Sequence, residues 1–521
     1  MIFAVSMTFI DMTIVSIAIP EIQKELALSS TGVQWVVNGY LLALAALFAL
    51  GGRLSDTLGH RKMVFIGVVV FAAASTMCGL TPTGSIAEAW MITFRVIQGA
   101  GAAIMYPAAL AIVVSAYPLR ARGRALAIFF AVAGGLTALG PLLGGYLSEW
   151  TWRAIFWVNV PVAIIAIVLT IIAKPDDSYQ PAKLDIRGAI LIAAGMGLSI
   201  LGLQQASVWG WSSPLTWGCI VGGLIILAGF VVFETRVASP LIRIGIFRNR
   251  SFAVENIVLF ISQIVFVPVF FFASMYSQIA LGMSASSAGT YLLIFFAGFA
   301  PAAQVGGRIL DRVGARPAVL LGNLIGAVGF GLWAWKLTDL SLGSQWYFIV
   351  LAGAGVGLML GPANTDAVNR ASRLSYGEAT GITQTVRNFG ASLGLAVLGT
   401  VLITQNRSNI ESSLGGLGIP KAQADAVAQS LSQSGGGSPS GFANATSAQT
   451  QKIFSAVQLD FAQSCRTVFF IMSGVMVIAF FASLLLPGGR MPDPTDDDAT
   501  DGPTRGATGD PTGGPTAAAT T

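Results

Sequence analysis

Five charged side chains stand within long apolar runs of this 521-residue chain: Asp11, Arg95, Glu255, Asp366 and Arg387. Charge inside hydrocarbon is expensive, so each is a functional candidate. Asp11 falls near the middle of its run. A carboxyl shielded from water can hold a proton, because desolvation disfavours its charged form. Such a group could exchange the proton for a cationic solute. Arg95 lies about two turns in from the end of its own run, at a depth similar to that of Asp11 if both runs cross a bilayer. A permanent guanidinium beside the acid would favour its ionised form and so control proton release. The simpler alternatives are a polar group bonded to neighbouring helices at Asp11, and a structural ion pair or carbonyl-bonded arginine at Arg95. Spacing alone does not say whether the two touch. Glu255, Asp366 and Arg387 could be coupling or substrate groups. The two acids fit solvated positions near one end of their runs equally well, whereas Arg387 lies deeper. Glu88 and Glu234 are expected at headgroups.

Other chemistries lack their residues. No GxxxxGK[ST] occurs and no Gly-Lys dipeptide exists, so the chain holds no nucleotide site of that kind to drive a pump. The single histidine is His60, and Cys78, Cys219 and Cys465 lie far apart without a CxxC. Neither a metal cluster nor a disulfide framework is expected. No nucleophile–base pair sits in the apolar runs, so neither an enzyme nor a bound cofactor is expected. Basic residues occupy short loops rather than a face interleaved with aromatics, which excludes nucleic acid as a partner.

The elements that must position these residues are membrane-spanning helices. Hydrophobic residues make up 54% of the chain and charged residues 10%, with a mean hydropathy of +0.73. A soluble protein carries roughly a quarter charged residues, so the apolar surplus needs a bilayer. Runs long enough to cross about 30 Å of hydrocarbon fall at 2–20, 34–52, 63–81, 89–112, 124–147, 154–173, 186–206, 214–233, 252–276, 288–307, 317–336, 346–368, 380–403 and 467–487. The first lacks the basic lead of a secretory signal and contains Asp11, so it reads as a span behind an unusually short lead. With the N-terminus inside, 20 of the 29 Lys and Arg residues fall in cytoplasmic segments, which favours that orientation. All eleven tryptophans then lie near outer span ends, from Trp35 to Trp346, where indoles meet headgroups. Residues 404–466, rich in Ser, Gln, Ala and Gly, read as an external loop with one or two amphipathic helices. Residues 490–521 read as a disordered cytoplasmic tail.

A ten-residue segment recurs. Gly52-Arg-Leu-Ser-Asp56-Thr-Leu-Gly59-His-Arg61 matches Gly307-Arg-Ile-Leu-Asp311-Arg-Val-Gly314-Ala-Arg316 at a constant offset. The copies follow spans 2 and 10 in the same orientation, which implies parallel repeats. Being eight spans apart, they leave two six-span halves and two inserted spans: 1–173, an inserted pair in 174–250, and 251–489. The glycines permit tight reversal and close approach, the basic residues anchor at headgroups, and Asp56 or Asp311 could face an arginine or a helix N-terminus. The turn is then a conformational latch, or a plain turn with topogenic charges.

The first copy resembles the signature loop of the major facilitator superfamily, departing from it at Thr57 and His60. Arg95-Val-Ile-Gln98-Gly99-Ala-Gly101 resembles that family's intramembrane arginine motif. Gly140-Pro141-Leu-Leu-Gly144-Gly145 resembles its antiporter motif, with Gly135 one place off the usual upstream glycine. Asp11-Met-Thr13 to Pro20, and Trp152-Arg153 to Pro161, resemble the fourteen-span drug–proton antiporters in particular. The resemblance covers about residues 8–400 and the last span. It implies an all-α fold of two six-helix bundles plus two inserted helices in the cytoplasmic membrane of a cell, working as a monomer. It also implies alternating access driven by inward protons, and export of lipophilic, often cationic, compounds of the multidrug or antibiotic-resistance kind. A dedicated exporter of one endogenous metabolite, antibiotic or lipid would look the same. Gly140-Pro141 would let its helix bend where the halves meet, or simply kink a packed helix. Phe266, Phe270, Phe271, Phe272, Phe295, Phe296 and Phe299 could line an aromatic cavity, although core or lipid packing is the simpler reading.

Overall fold

The computed structural model describes residues 1–117, 129, 136, 139–174, 185–371, 376–416 and 447–489. The tail 490–521, the middle of the expected external loop, and most of the first half of span 5 lie outside the described residues. Those described are helical, with no strand among them. In chain order the long helices are α1 (Ile2–Leu26), α2 (Ser30–Leu58), α3 (His60–Gly79), α4 (Ala87–Ser115), α5 (described over 139–150), α6 (Ala154–Ala173), α7 (Ile186–Trp209), α8 (Pro214–Glu234), α9 (Arg250–Ile279), α10 (Ala285–Val313), α11 (Ala315–Lys336), α12 (Trp346–Asn369), α13 (Tyr376–Gly416) and α14 (Ser447–Ser483). Leaving α5 aside, 13 are long and apolar enough to cross a membrane.

Polar caps set several starts. The side chains of Ser29, Asp185, Asn249 and Ser284 each accept from a first-turn backbone N–H, of Gly32, Gly188, Ser251 and Ser287 respectively, which satisfies donors a helix leaves free. The two repeated turns share one backbone solution. Gly59 has φ 102° and Gly314 φ 95°, each the single residue between two helices. Only glycine adopts that conformation without strain.

The repeat extends to packing. In the first half α2 meets α4 where Gly51 faces the Ala103 carbonyl, and α3 meets α4 where Gly67 faces Met105. In the second half α10 meets α12 where Gly298 faces the Val350 carbonyl, and α11 meets α12 where Gly322 faces Met359. Each pairing recurs eight helices later. Contacts this close are available only to residues without a side chain.

The inserted helices α7 and α8 pack on each other through Gly195 and Gly223. A buried polar junction ties α7 to both halves. Asn38 of α2 donates to Gln204 Oε1 of α7 at 3.0 Å and to the Ser392 carbonyl of α13 at 3.3 Å. Outward-facing positions of α6 and α8, among them Ile164, Ile172, Leu224 and Ile225, are large, apolar and exposed. A lipid-facing wall has that composition.

Two sequence expectations change. Trp150, Trp211, Trp217, Trp335 and Trp346 are exposed and suit a headgroup belt, but Trp152 and Trp333 are buried. Trp333 packs on Phe469 with centroids 4.5 Å apart. The amphipathic helices expected within 404–466 are not separate elements but continuations of the flanking spans. Helix α13 continues to Gly416 and α14 begins at Ser447. Their polar extensions are tied by Ser413 donating to Asp460 at 2.7 Å and Asn409 donating to Ser464 at 3.0 Å.

Candidate functional site

Asp11 and Arg95 touch. Arg95 Nη1 lies 2.6 Å from Asp11 Oδ2, with side chains 1% and 0% exposed. Arg95 and Gln98 are three residues apart, so α4 presents both on one face. Gln98 donates to Asp11 Oδ1 at 2.9 Å and accepts from Arg95 Nη1 at 2.7 Å. Arg95 Nε donates to the Val36 carbonyl of α2 at 2.8 Å, and the guanidinium lies over the Tyr40 ring at 4.5 Å. Both carboxylate oxygens are engaged, so the charge is paired and hydrogen-bonded, the condition for holding an ion out of water.

Helix α1 carries this group on one face and three other contacts around its circumference. Thr8, Phe9, Met12 and Thr13 line a cavity between the halves. Thr13 and Ile14 pack on the antiporter-like segment of α5, where a Cβ on Gly140 would collide with Thr13 Oγ1 and one on Gly144 would lie 2.8 Å from the Ile14 carbonyl. The Ile17 carbonyl accepts from Gln278 of α9 in the second half at 2.9 Å. On its other side α5 abuts α10: a Cβ on Gly145 would lie 2.6 Å from the Ala285 carbonyl, and one on Gly289 would collide with the Pro141 carbonyl. Glu149 accepts from Ser286 there. The helix with Gly140, Pro141, Gly144 and Gly145 is therefore wedged between α1 and the second half, at the tryptophan-bearing end of the bundle.

The cavity encloses about 780 Å³, its open side included. Phe48 and Tyr106 face it from the first half, Phe266, Phe270, Phe296 and Phe299 from the second. Phe270 and Phe296 stack at 5.3 Å with planes 8° apart, and Phe266 and Phe299 at 5.7 Å and 22°. The phenylalanine cluster thus divides. These four line the cavity, whereas Phe271, Phe272 and Phe295 are core. Gln384 of α13 donates to the Tyr106 hydroxyl across the halves at 2.9 Å. Arg387, one turn on, donates to Gln384 Oε1 at 2.9 Å and to Asn364 Oδ1 at 3.2 Å.

Glu255 and Asp366 are buried, 0% and 3% exposed, so the solvated alternative is excluded for both. Asp366 pairs with Arg370 one turn on at 2.6 Å, and the Glu255 carboxyl faces that of Asp366. Glu88 accepts from Ser29 at 3.1 Å. Glu234 is buried rather than at a headgroup and accepts from the Ile242 N–H at 3.0 Å.

The residues of the repeated segment occupy two equivalent turns. Gly59 and Gly314 are buried, and Asp56 and Asp311 exposed. The glycines preceding them are not close-approach points among the described residues: a Cβ on Gly52 would come no nearer than 3.8 Å and one on Gly307 would meet nothing within 4 Å. Arg316 donates to the Leu484 carbonyl at 3.1 Å, Arg61 lies 6.0 Å from the Phe65 ring, and Arg53 donates to the Pro240 carbonyl at 2.9 Å. Sequence reasoning followed charges and passed over neutral partners, namely Tyr40, Tyr106, Gln263, Gln384 and Asn364. An amide inside an apolar run carries the same signal as a charge, more weakly.

The sequence matches the family described as Major Facilitator Superfamily over residues 1–395. It is 34% identical over 407 residues to the tetracenomycin C resistance and export protein of Streptomyces glaucescens, covering 77% of this chain and 74% of that one. It is 36% identical over 409 residues to the cephamycin export protein CmcT of Amycolatopsis lactamdurans, covering 75% and 81%. Among solved structures, a bacterial homologue of the human lysosomal transporter Spinster, inward-facing and occupied, superposes with a TM-score of 0.58 at 18% identity, covering 93% and 94%. That likeness shows the fold alone.

Proposed function

The chain belongs to the major facilitator superfamily, and from that premise we propose that it exports lipophilic compounds by proton-coupled alternating access, without enzymatic activity. The observation that carries the reading is the placement of Asp11, held by Arg95 and Gln98 on the face of α1 away from the cavity while the rest of α1 touches the cavity, α5 and the second half.

The coupling follows from charge. As a carboxylate, Asp11 binds α1 to α4 through an ion pair and a second hydrogen bond. Adding a proton removes the charge that Arg95 needs, and an unpaired buried guanidinium costs about 3–5 kcal/mol. The α1–α4 contact then loosens, and α1 moves against Gly140 and Gly144. The α5–α10 contact closes one end of the cavity, so a shift of α1 biases which end is open. Protonation and cargo therefore act on one helix from different faces, rather than by direct exchange at one carboxyl. Glu255, fully buried and with neither carboxyl oxygen hydrogen-bonded among the described residues, is the candidate for a second proton site.

We place the arginine-rich turns, both termini and the latches in the cytoplasm, in the inner membrane of a bacterium. The excess of basic residues on that face supports this. One inward proton supplies about 2.3 kcal/mol per 100 mV and about 1.4 kcal/mol per pH unit. Together these sustain roughly a 500-fold outward gradient. The two relatives are named for the export of tetracenomycin C and of cephamycin, and this supports a second reading as a dedicated exporter of a single antibiotic or metabolite. A panel of structurally unrelated compounds, tested for proton movement in inverted vesicles, separates the two. Many active compounds support the multidrug reading, one supports the dedicated reading, and none refutes export.

A further inference from the structure

The cavity between the halves carries one charged side chain among its described lining residues, and that charge is positive. Arg387 reaches it from α13, where the guanidinium is held by neutral acceptors only. Nη1 donates to Gln384 and Asn364, and Gln263 of α9, with its amide turned to accept, receives Nε and Nη2 at 3.3 and 3.2 Å. No carboxylate among the described residues lies within ion-pair distance of it. The acids on α9 and α12, Glu255 and Asp366, interact with each other and with Arg370 instead, and Glu411 of α13 pairs with Arg407. Asp11, the nearest acid in sequence to the α1 lining residues, is turned to Arg95.

A guanidinium removed from water and offered only amide oxygens keeps an unmatched positive field in its cavity. An entering cation meets that field with nothing to offset it. An entering anion supplies the missing counter-charge and accepts charge-assisted hydrogen bonds, to which the planar fork of arginine is suited. The walls beside Arg387 are the two phenylalanine stacks, whose faces accommodate flat ring systems.

We propose that the cargo is a lipophilic aromatic anion, its acidic group paired with Arg387 and its rings against Phe266, Phe270, Phe296 and Phe299. This rests on the export reading above and narrows it to a class, in place of the cationic compounds the family resemblance suggests. The acidic group is a carboxylate, a sulfonate or an ionised phenol or enol.

The test uses three fluorescent probes on the purified full-length protein in proteoliposomes with an imposed proton gradient. 8-Anilinonaphthalene-1-sulfonate and N-phenyl-1-naphthylamine share their rings and differ in the sulfonate; ethidium is an aromatic cation. The expected result is that the sulfonate is moved at least tenfold more efficiently than the neutral probe, with ethidium poorest. In Arg387→Gln the anion-to-neutral ratio falls at least tenfold, and in Arg387→Lys at least half of the preference returns. A wild-type preference for ethidium or for the neutral probe overturns the proposal while leaving export standing. So does an anion preference that survives Arg387→Gln. If no probe moves under the gradient, the proposal is overturned, and export itself is decided by the compound panel above. Should Arg387→Gln fail to fold, the wild-type ranking decides.

Discussion

Replacing Asp11 with Asn separates coupling from binding. Asn keeps the size and planarity of the carboxyl but has no charge and cannot titrate. In the wild type both oxygens accept, from Arg95 Nη1 at 2.6 Å and Gln98 Nε2 at 2.9 Å, with the pair almost fully buried. Asn retains one accepting oxygen and turns an amide N–H₂ towards a donor, so one of the two bonds is lost and the charge on Arg95 is left unmatched. Breaking a buried pair outright costs about 3–5 kcal/mol, and the surviving hydrogen bond returns about 1–1.5 kcal/mol. A net destabilisation of about 1.5–4 kcal/mol is expected, read as a lowered melting temperature in detergent. The functional effect is larger. Cargo-dependent proton movement, followed with a pH dye sealed inside proteoliposomes, should fall at least a hundredfold. Cargo affinity should stay within about threefold, because Asp11 does not line the cavity. The reasoning is refuted if the Asn variant still accumulates cargo against a gradient, or if it folds and transports nothing because it no longer binds.

The closing contact can be tested by bulk: Gly145→Val places carbon against the Ala285 carbonyl, 2.6 Å from the first added atom, and should force α5 from α10, raising labelling of a cysteine at Ser286 by an impermeant maleimide. The background is low because Cys78, Cys219 and Cys465 are all buried. Gly59→Ala and Gly314→Ala each impose a positive-φ, extended backbone on a residue with a Cβ and should cost about 1–3 kcal/mol of stability, measured by thermal unfolding; equal stability would contradict the turn geometry. Gln204→Ala leaves the buried Asn38 amide without its 3.0 Å partner and should cost about 1–3 kcal/mol with little change in transport per folded molecule. If Glu255 carries a second proton, Glu255→Gln should lower the steady-state cargo gradient by up to about 500-fold at 100 mV and one pH unit without abolishing transport.

The span pattern was legible because hydrocarbon thickness fixes a length, and the repeat because its glycines serve a backbone conformation that other residues resist. Asp11 and Arg95 stood out because ions in apolar runs need a reason. Their contact did not, since it depends on how α1 and α4 are rotated about their axes, and runs this uniformly apolar carry little rotational signal. The phenylalanines illustrate the same limit. Phe270 lines the cavity while Phe271 and Phe272 are core, and composition cannot rank adjacent identical residues. The charge of the cavity was hidden for another reason. Arg387 has partners on α9, α12 and α13, so its lack of a carboxylate among the described residues emerges only once those three helices are assembled. The amphipathic helices expected in 404–466 are continuations of α13 and α14, and that continuity was not legible because a hydropathy criterion ends each span where its polar extension begins.

The central claim is that a proton on Asp11 is exchanged for the cargo-bound state. Infrared difference spectroscopy of the reconstituted protein reports it through the carbonyl stretch of a protonated carboxylic acid. The account predicts that this band arises on acidification, diminishes when cargo is added, and is missing its Asp11 component in Asp11→Asn. A carboxyl band that cargo leaves unaltered, or a cargo-sensitive band unchanged in Asp11→Asn, would contradict it.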